Sequence, residues 1–255
     1  MKLILITLVA VVVGMMALAA VGCKSDAESA FDVGMDLINE EVRSLQGMEE
    51  AVETFERAIE LDPTYARAYV GRARAHWFLD EYNLAKGDFD KAIELDPNDP
   101  TAYHWRGAYY RIELDEFNKA ILDFDKSIQL EPDNPEFWYE RGRTYHSLEQ
   151  SARALLDFDE AIDLSGHYSE STTPLVWYYT YRAWTLSELG FYEREIKDWS
   201  TIIDNLPDDD TAYFFRGIAH KTIGEHDKAD DDFAKACKLD SGNCDSPHYK
   251  SSKQK

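Results

Sequence analysis

The stretch from Ala66 to Asp99, ARAYVGRARAHWFLDEYNLAKGDFDKAIELDPND, decides the fold because close copies of it precede and follow it in the chain. The stretch is 34 residues long, and the prolines of three LDP or LEP tripeptides, Pro63, Pro97 and Pro132, lie 34 and then 35 residues apart. Self-similarity at such a fixed period is the signature of a solenoid built from one supersecondary unit. The sequence therefore predicts an array of repeats that bury their core between neighbours.

Each unit is predicted to be a pair of helices. Apolar and small residues recur at helical spacing in a first run (Tyr69, Ala73, His76) and in a second run (Ala85, Phe89, Ala92). Pro97 ends the second helix because proline cannot continue the hydrogen-bond ladder. The small residues let the two helices approach closely, and the aromatic residues fill the gap between them. This pattern resembles the tetratricopeptide repeat, an antiparallel helix pair that stacks on its neighbours.

The predicted fold class is all-α, a solenoid of about six helix-turn-helix repeats, which the resemblance implies winds into a right-handed superhelix with a concave groove. The predicted repeats span residues 30–65, 66–99, 100–134, 135–168, 176–209 and 210–243. Repeat one is interpreted as a capping repeat, because Asn39 stands where a small residue belongs. Ser169 to Leu175 is an insertion. Repeat five is divergent, with Glu195, Trp199 and Ile202 where alanine, phenylalanine and alanine are usual, and we expect a changed packing angle there.

Residues 1–22 are predicted to be an export signal of the lipoprotein type. A basic Lys2 precedes an apolar run, and the small residues before Cys23 resemble a bacterial lipobox, although Ala20 stands where the family prefers leucine. Cys23 is then the lipidated residue, followed by a polar tether over 23–29. An ordinary cleaved signal and an uncleaved membrane anchor are the alternatives.

All three interpretations place the repeats outside the cytoplasm. Lys24 favours the outer membrane, facing the periplasm, over anchoring in the inner membrane or secretion. Residues 244–255 are predicted to be a polar tail.

Composition excludes some classes of function. The formal net charge is −22, with 49 acidic against 27 basic residues, which argues against binding to nucleic acid or electrostatic docking on anionic lipid. The seven histidines show no metal-ligand spacing, and the chain has no phosphate-binding loop and no nucleophile elbow. We therefore predict no catalytic residue, no metal and no cofactor, and a protein that is not an enzyme.

Cys237 and Cys244 are the candidates for a disulfide. Seven residues apart in a continuous helix, their Cα atoms would be about 10 Å from each other, which is beyond disulfide reach. The intervening Ser241-Gly242 could turn the chain back, and an oxidising envelope would allow the bond. Two free thiols are the alternative.

Two sets of charged residues recur in register. The paired acids Asp88/Asp90, Asp123/Asp125 and Asp157/Asp159, and the run Asp230-Asp231-Asp232, are interpreted as a solvated acidic back face. The recurring arginines are expected to be structural, with stems that cover the neighbouring helix and heads that meet acids; they are Arg72, Arg106, Arg141, Arg182 and Arg216.

The groove is mapped from the family's concave positions on the first helix of each repeat. The residues predicted to bind a partner are Arg67, Arg74, Trp77, His104, Trp105, Arg111, Tyr139, Arg143, His146, Tyr181, Trp184 and Phe214. Aromatic and arginine side chains are frequent anchors of binding sites. We therefore expect a protein-protein interaction scaffold that binds an extended peptide or helix with acidic or carboxylate groups.

The family's lysine–asparagine carboxylate clamp is absent, because Val70 and Arg74 stand at its two positions in repeat two. The alternative function is binding of a glycan such as peptidoglycan, whose rings would stack on the groove aromatics.

Overall fold

The computed structural model describes residues 26–39, 44–166 and 172–245, and every regular element within them is a helix. The predicted export signal, Cys23 and nearly all of the polar tail lie outside this part of the chain. The helices are α1 (residues 26–39), α2 (Leu45–Leu61), α3 (Ala66–Phe78), α4 (Tyr82–Leu95), α5 (Pro100–Glu113), α6 (Phe117–Leu130), α7 (Pro135–Ser147), α8 (Ser151–Ser165), α9 (Thr172–Glu188), α10 (Tyr192–Asn205), α11 (Asp210–Thr222) and α12 (His226–Leu239), followed by a 3₁₀ turn at Ser241–Asp245. No helix in the described ranges is both long and apolar enough to cross a membrane.

The chain divides into two compact units, Met1–Lys119 and Ala120–Lys255, with the boundary inside α6. In the first unit α2 packs on α3, α3 on α4, and α4 on α5. In the second unit every helix from α7 to α12 packs on the next one along the chain. This packing in chain order confirms the all-α solenoid of helix pairs.

Close approach within a pair depends on a small residue that faces a phenylalanine. A Cβ atom added to Gly142 would lie 2.8 Å from the ring of Phe158, and one added to Gly217 would lie 2.8 Å from the ring of Phe233. Both phenylalanines are almost completely buried. The glycines therefore set the distance between α7 and α8 and between α11 and α12.

The first repeat differs from its prediction. Gly34, and not Asn39, faces the ring of Phe55, at 2.8 Å from an added Cβ atom, and Asn39 is exposed. The first helix thus lies five residues earlier than expected, since Gly34 and Phe55 are 21 residues apart, whereas Gly142 and Phe158 are 16 apart. Residues 26–29, predicted to be tether, belong to α1, and Ala27 is completely buried.

The fifth repeat accommodates its unusual residues inside the core. Trp199 and Ile202 are 1% exposed, and the Trp199 ring stacks on Phe215 with centroids 5.4 Å apart. Helix α9 begins at Thr172, so it takes in the last part of the predicted insertion. Glu195 is also buried, and its Oε1 accepts a hydrogen bond of 3.2 Å from the Trp199 indole.

Arg141 and Arg182, two of the recurring arginines, each join an acid of their own repeat to an acid of the preceding one. Arg182 donates to both carboxylate oxygens of Asp198 at 2.8 and 2.7 Å and to Asp159 at 2.7 Å. Arg141 makes the same set of bonds with Asp157 and Asp125. These bidentate pairs give the arginines the structural contacts that the sequence led us to expect.

The prediction of a solvated acidic face is wrong for one acid in each set. Within the recurring pairs and the Asp230-Asp231-Asp232 run, the buried members are Asp88, Asp123, Asp157 and Asp232, each 4–9% exposed. The carboxylates of Asp88, Asp157 and Asp232 each accept both bonds of a bidentate arginine. Burial of these acids is tolerated because each is paired and hydrogen-bonded.

The end of the second unit is closed covalently. The sulfur atoms of Cys237 and Cys244 are bonded, with Cα atoms 4.7 Å apart. The 3₁₀ turn brings them together, and Gly242 N donates to Asp240 Oδ1 at its start.

Candidate functional site

The first unit carries a cluster of aromatic and charged side chains on α3 and α5. The Arg74 guanidinium lies 4.1 Å from the ring centroid of Trp105. The Trp77 indole donates to Glu113 Oε1 at 2.8 Å and meets Tyr109 edge to face at 5.7 Å. Such cation–π contacts contribute about 0.5–2 kcal/mol, depending on desolvation. The cluster is therefore preorganised by contacts between neighbouring repeats.

A cavity of about 350 Å³ opens beside this cluster. Its aromatic walls are Trp77, Phe78 and Trp105, and its charged groups include Arg74 and Glu113. The volume is within the usual range for ligand pockets. Flat apolar walls beside a cation and a carboxylate can hold a side chain with a polar end or a sugar ring.

Five lining residues of this cavity are not among the predicted partner-binding residues: Ile38, Met48, Phe78, Asp80 and Glu113. Ile38 and Met48 come from repeat one, whose register was placed too late, and Asp80 lies in the turn after α3. The hydroxyl of Tyr82 donates to Asp80 Oδ1 at 2.8 Å, and this bond raises the pKa of Tyr82 to about 12. The Gly34–Phe55 pairing would have revealed the two residues from repeat one.

The other predicted residues of the first unit are Arg67, His104 and Arg111. Arg67 is exposed, and its guanidinium lies 4.9 Å from the Phe31 ring centroid. His104 is buried with its ring 5.2 Å from Trp105, and Arg111 is half-buried on α5. His104 therefore packs against Trp105 and is not a surface contact.

In the second unit, Arg143 lies between two tyrosines. Its guanidinium is 5.4 Å from the Tyr139 ring centroid and 5.0 Å from that of Tyr181. Tyr139 also packs on Tyr178, whose hydroxyl donates to Glu136 Oε2 at 3.0 Å. Burial raises the pKa of both Tyr139 and Tyr178, so these phenols stay neutral at physiological pH.

Acids of the same unit lie beside two of its predicted residues. Arg143 pairs with the buried Glu140 at 2.8 Å, and His146 Nε2 lies 3.2 Å from Glu188 Oε1. Glu140 and Glu188 are not among the predicted groove residues, although they meet Arg143 and His146. Recognition of an acidic partner is therefore not favoured at this part of the site.

Of the last two predicted residues, Trp184 packs on the next repeat and Phe214 packs within its own repeat. Trp184 contacts Tyr181, with ring centroids 5.2 Å apart, and Phe215 at 6.3 Å. Phe214 contacts Phe215 at 5.6 Å and Phe233 at 5.9 Å. Both side chains remain half-buried, so each combines a packing role with a partly exposed edge.

The described ranges contain no group of three or more histidine, cysteine, aspartate or glutamate side chains that could hold a metal ion.

Comparison with known families agrees with this architecture. One sequence profile of the tetratricopeptide repeat matches residues 89–121 and 124–155, and another matches residues 43–65, 66–99 and 210–243. Together these segments cover more than half of the chain. The chain belongs to the tetratricopeptide repeat family, whose helix-pair scaffolds present surfaces for binding other proteins. A comparison with curated proteins gave no match.

Several solved structures share the fold. YrrB, a TPR protein with an unusual peptide-binding site, is 22% identical, with a TM-score of 0.65 over 80% of this chain and 100% of that one. Pseudomonas aeruginosa pilF is 16% identical, with a TM-score of 0.73 over 90% and 97%. PilW, a type IV pilus biogenesis factor, is 14% identical, with a TM-score of 0.69 over 88% and 97%. At these identities the likeness establishes the fold alone.

Proposed function

We propose that this protein is a non-catalytic scaffold, lipid-anchored in the bacterial cell envelope, that binds a segment of a partner protein on the first-helix face of its repeats. The observation that carries the proposal is the preformed cavity beside Arg74, Trp77 and Trp105. Rings and guanidinium are already held by neighbouring repeats, so a partner would order few side chains on binding. The peptide-binding site named for YrrB is consistent with this use of the fold.

Site-specific photo-crosslinking in intact cells tests the proposal. A benzophenone amino acid replaces Phe78, which is 39% exposed beside the cavity, and in a matched variant it replaces Phe191, which is 48% exposed outside it. We expect a protein cross-linked from position 78 alone, with the product lost when Arg74→Ala is added. The purified partner should then bind the Arg74→Ala variant at least tenfold more weakly. The control Arg57→Ala, which changes an exposed side chain of α2, should leave the affinity unchanged. Equal cross-linking at both positions would overturn the proposal.

Glycan binding is the second candidate function, because the same cavity combines Trp77 and Trp105 with the polar groups of Asp80 and Glu113. Titration with purified muropeptides separates the two candidates. Saturable muropeptide binding that Trp105→Ala abolishes, together with no protein cross-linked at position 78, would favour the glycan.

Lipid attachment at Cys23 is tested by metabolic labelling with an alkyne fatty acid. We expect label in the wild-type chain and none in Cys23→Ala, which should leave the membrane fraction. An unlabelled wild-type chain would contradict lipid anchoring. If the chain is labelled, density fractionation of the membranes tests whether it lies in the outer membrane.

A further inference from the structure

A second cavity, of about 400 Å³, lies among α9, α10 and α11 of the second unit. Val176, Trp177, Trp184, Trp199 and Leu206 form its apolar walls. The volume is within the range of pockets that enclose a bulky side chain or a small ligand. This cavity is separate from the one beside Arg74, which belongs to the first unit.

The cavity combines a fixed floor with exposed edges. Trp199 is 1% exposed and is held by its stack on Phe215. Trp177 is 53% exposed and Leu206 is 41% exposed. Large apolar side chains that border a preformed cavity are typical of an interaction site, because covering them removes apolar surface from water.

Two polar groups of the cavity already have partners within the protein. Thr180 Oγ1 donates to the Val176 carbonyl oxygen at 2.8 Å. Asp209 Oδ1 accepts from Ala212 N at 2.9 Å, where it caps α11. A hydroxyl-rich ligand such as a glycan would gain little from such engaged groups, whereas an apolar side chain needs no polar partner.

The acidic residues at the rim of the cavity indicate the sign of the partner's charge. Asp208, Asp209 and Asp210 are consecutive, and Leu206, Asp209 and Thr211 border both this cavity and an adjoining depression that holds all three acids. The Asp208 side chain is 88% exposed, with Lys235 Nζ 3.8 Å away. In a chain of net charge −22, a cationic segment is attracted to this rim and an acidic one is repelled.

We propose that this cavity is a docking site for a cationic peptide segment of a partner protein, which inserts one bulky apolar side chain between Trp177 and Leu206 and places lysine or arginine beside Asp208. The proposal goes beyond the scaffold function above, because it assigns a second surface and a partner of defined chemistry. It does not depend on the cavity beside Arg74.

Fluorescence anisotropy with three labelled peptides tests this proposal on the detergent-solubilised full chain. The first peptide is rich in lysine and serine with one central tryptophan. The second has alanine in place of that tryptophan, and the third has glutamate in place of every lysine. We expect the first peptide to bind at least tenfold more tightly than either of the others.

Matched variants locate the binding. Trp177→Ala should weaken binding of the first peptide at least tenfold, whereas Leu156→Ala, which trims a leucine 69% exposed on α8, should leave it unchanged. Asp208→Asn should weaken binding about threefold at low salt and have no effect at 0.5 M salt, because salt screens exposed charges. Leu206→Ser provides a second wall variant, and circular dichroism checks that each variant folds.

Several results would overturn the proposal. They are equal affinity for the lysine and glutamate peptides, no effect of Trp177→Ala and Leu206→Ser, no binding of any peptide, and displacement of the peptide by oligomers of N-acetylglucosamine. Arg74→Ala should leave peptide binding intact. Failure of this docking site is thus distinguishable from failure of the proposed scaffold function.

Discussion

Replacing Arg182 by methionine should destabilise the second unit by about 3–5 kcal/mol, because it leaves a buried carboxylate without its partner. The Asp198 side chain is 2% exposed, and Arg182 supplies hydrogen bonds of 2.8 and 2.7 Å to its two oxygens. Burial is the largest single influence and acts to lower the pKa of Arg182, but the hydrogen bonds and charges of Asp198 and Asp159 together outweigh it, so the net effect raises that pKa. The guanidinium is therefore charged at every pH at which the protein is folded.

Most of this loss comes from Asp198 and little from Asp159. Arg194 Nη2 lies 3.0 Å from Asp159 Oδ1, so Asp159 keeps a cationic partner when Arg182 is absent. Adding Asp198→Leu to Arg182→Met removes the stranded charge and should recover most of the lost stability, since an apolar pair of similar volume often replaces a buried ion pair without net cost.

The assay is urea denaturation followed by circular dichroism and tryptophan fluorescence, with Trp199 in the affected repeat as a local reporter. Arg57→Met is the control, because the Arg57–Glu60 pair is 3.6 Å long and largely exposed, and it should cost under about 0.5 kcal/mol. A loss below about 1 kcal/mol for Arg182→Met, or a further loss on adding Asp198→Leu, would refute this reasoning.

Three further predictions concern single features of the core and the C-terminal end. Gly217→Ala should cost about 1–3 kcal/mol of stability, because its Cβ atom would lie 2.8 Å from a buried ring. Gly87→Ala is the control: no atom lies within 4 Å of the new Cβ among the described contacts, so it should stabilise its helix by up to about 1 kcal/mol. Thermal melts of both variants measure these changes. Burial raises the pKa of Glu195 above its value in the unfolded chain, so its carboxyl group stabilises the fold at low pH and loses that contribution as the pH rises through the native pKa. Glu195→Gln should therefore be more stable than wild type at pH 7, and the difference in free energy of unfolding should narrow toward pH 4. Chemical denaturation at each pH measures this difference. Reduction of Cys237–Cys244 should destabilise the end of α12 by about 2 kcal/mol, measured as faster amide exchange there, and a variant with serine at both positions should not respond to the reductant.

The sequence predicted the repeat architecture well because its signal is redundant. The positions of Ala85, Phe89 and Ala92 recur in nearly every unit, and each of these side chains is completely buried in the structure. An error in one repeat leaves the periodicity of the others intact. The first repeat was misplaced by five residues because its own proline, Pro63, fixes the second helix but says nothing about the length of the preceding turn.

The acids were harder to predict because periodicity alone cannot tell a buried charge from a solvated one. Asp157 is 4% exposed, whereas Asp125 has a side chain that is 47% exposed, yet both recur at fixed positions and both accept from Arg141. The arginine spacing held the missing information. Arg141 lies 16 residues after Asp125 and 16 residues before Asp157. A cation at equal intervals between two acids indicates one ion pair within its repeat and one ion pair with the preceding repeat.

The same spacing explains why contacts at the interface between repeats recur at equivalent positions, whereas the contacts of groove residues do not. Arg182 reaches Asp159 across 23 residues, where Arg141 reaches Asp125 across 16. The difference equals the seven inserted residues, the last four of which belong to α9, and the contact between repeats is kept despite the added length. A groove residue has no such fixed partner, since what it meets depends on the neighbouring repeat. Arg74 lies over Trp105, whereas Arg143, at the equivalent position, lies between two tyrosines and pairs with Glu140. Equivalent positions therefore predict the scaffold, and the chemistry of each binding surface has to be read from the local contacts in its own unit.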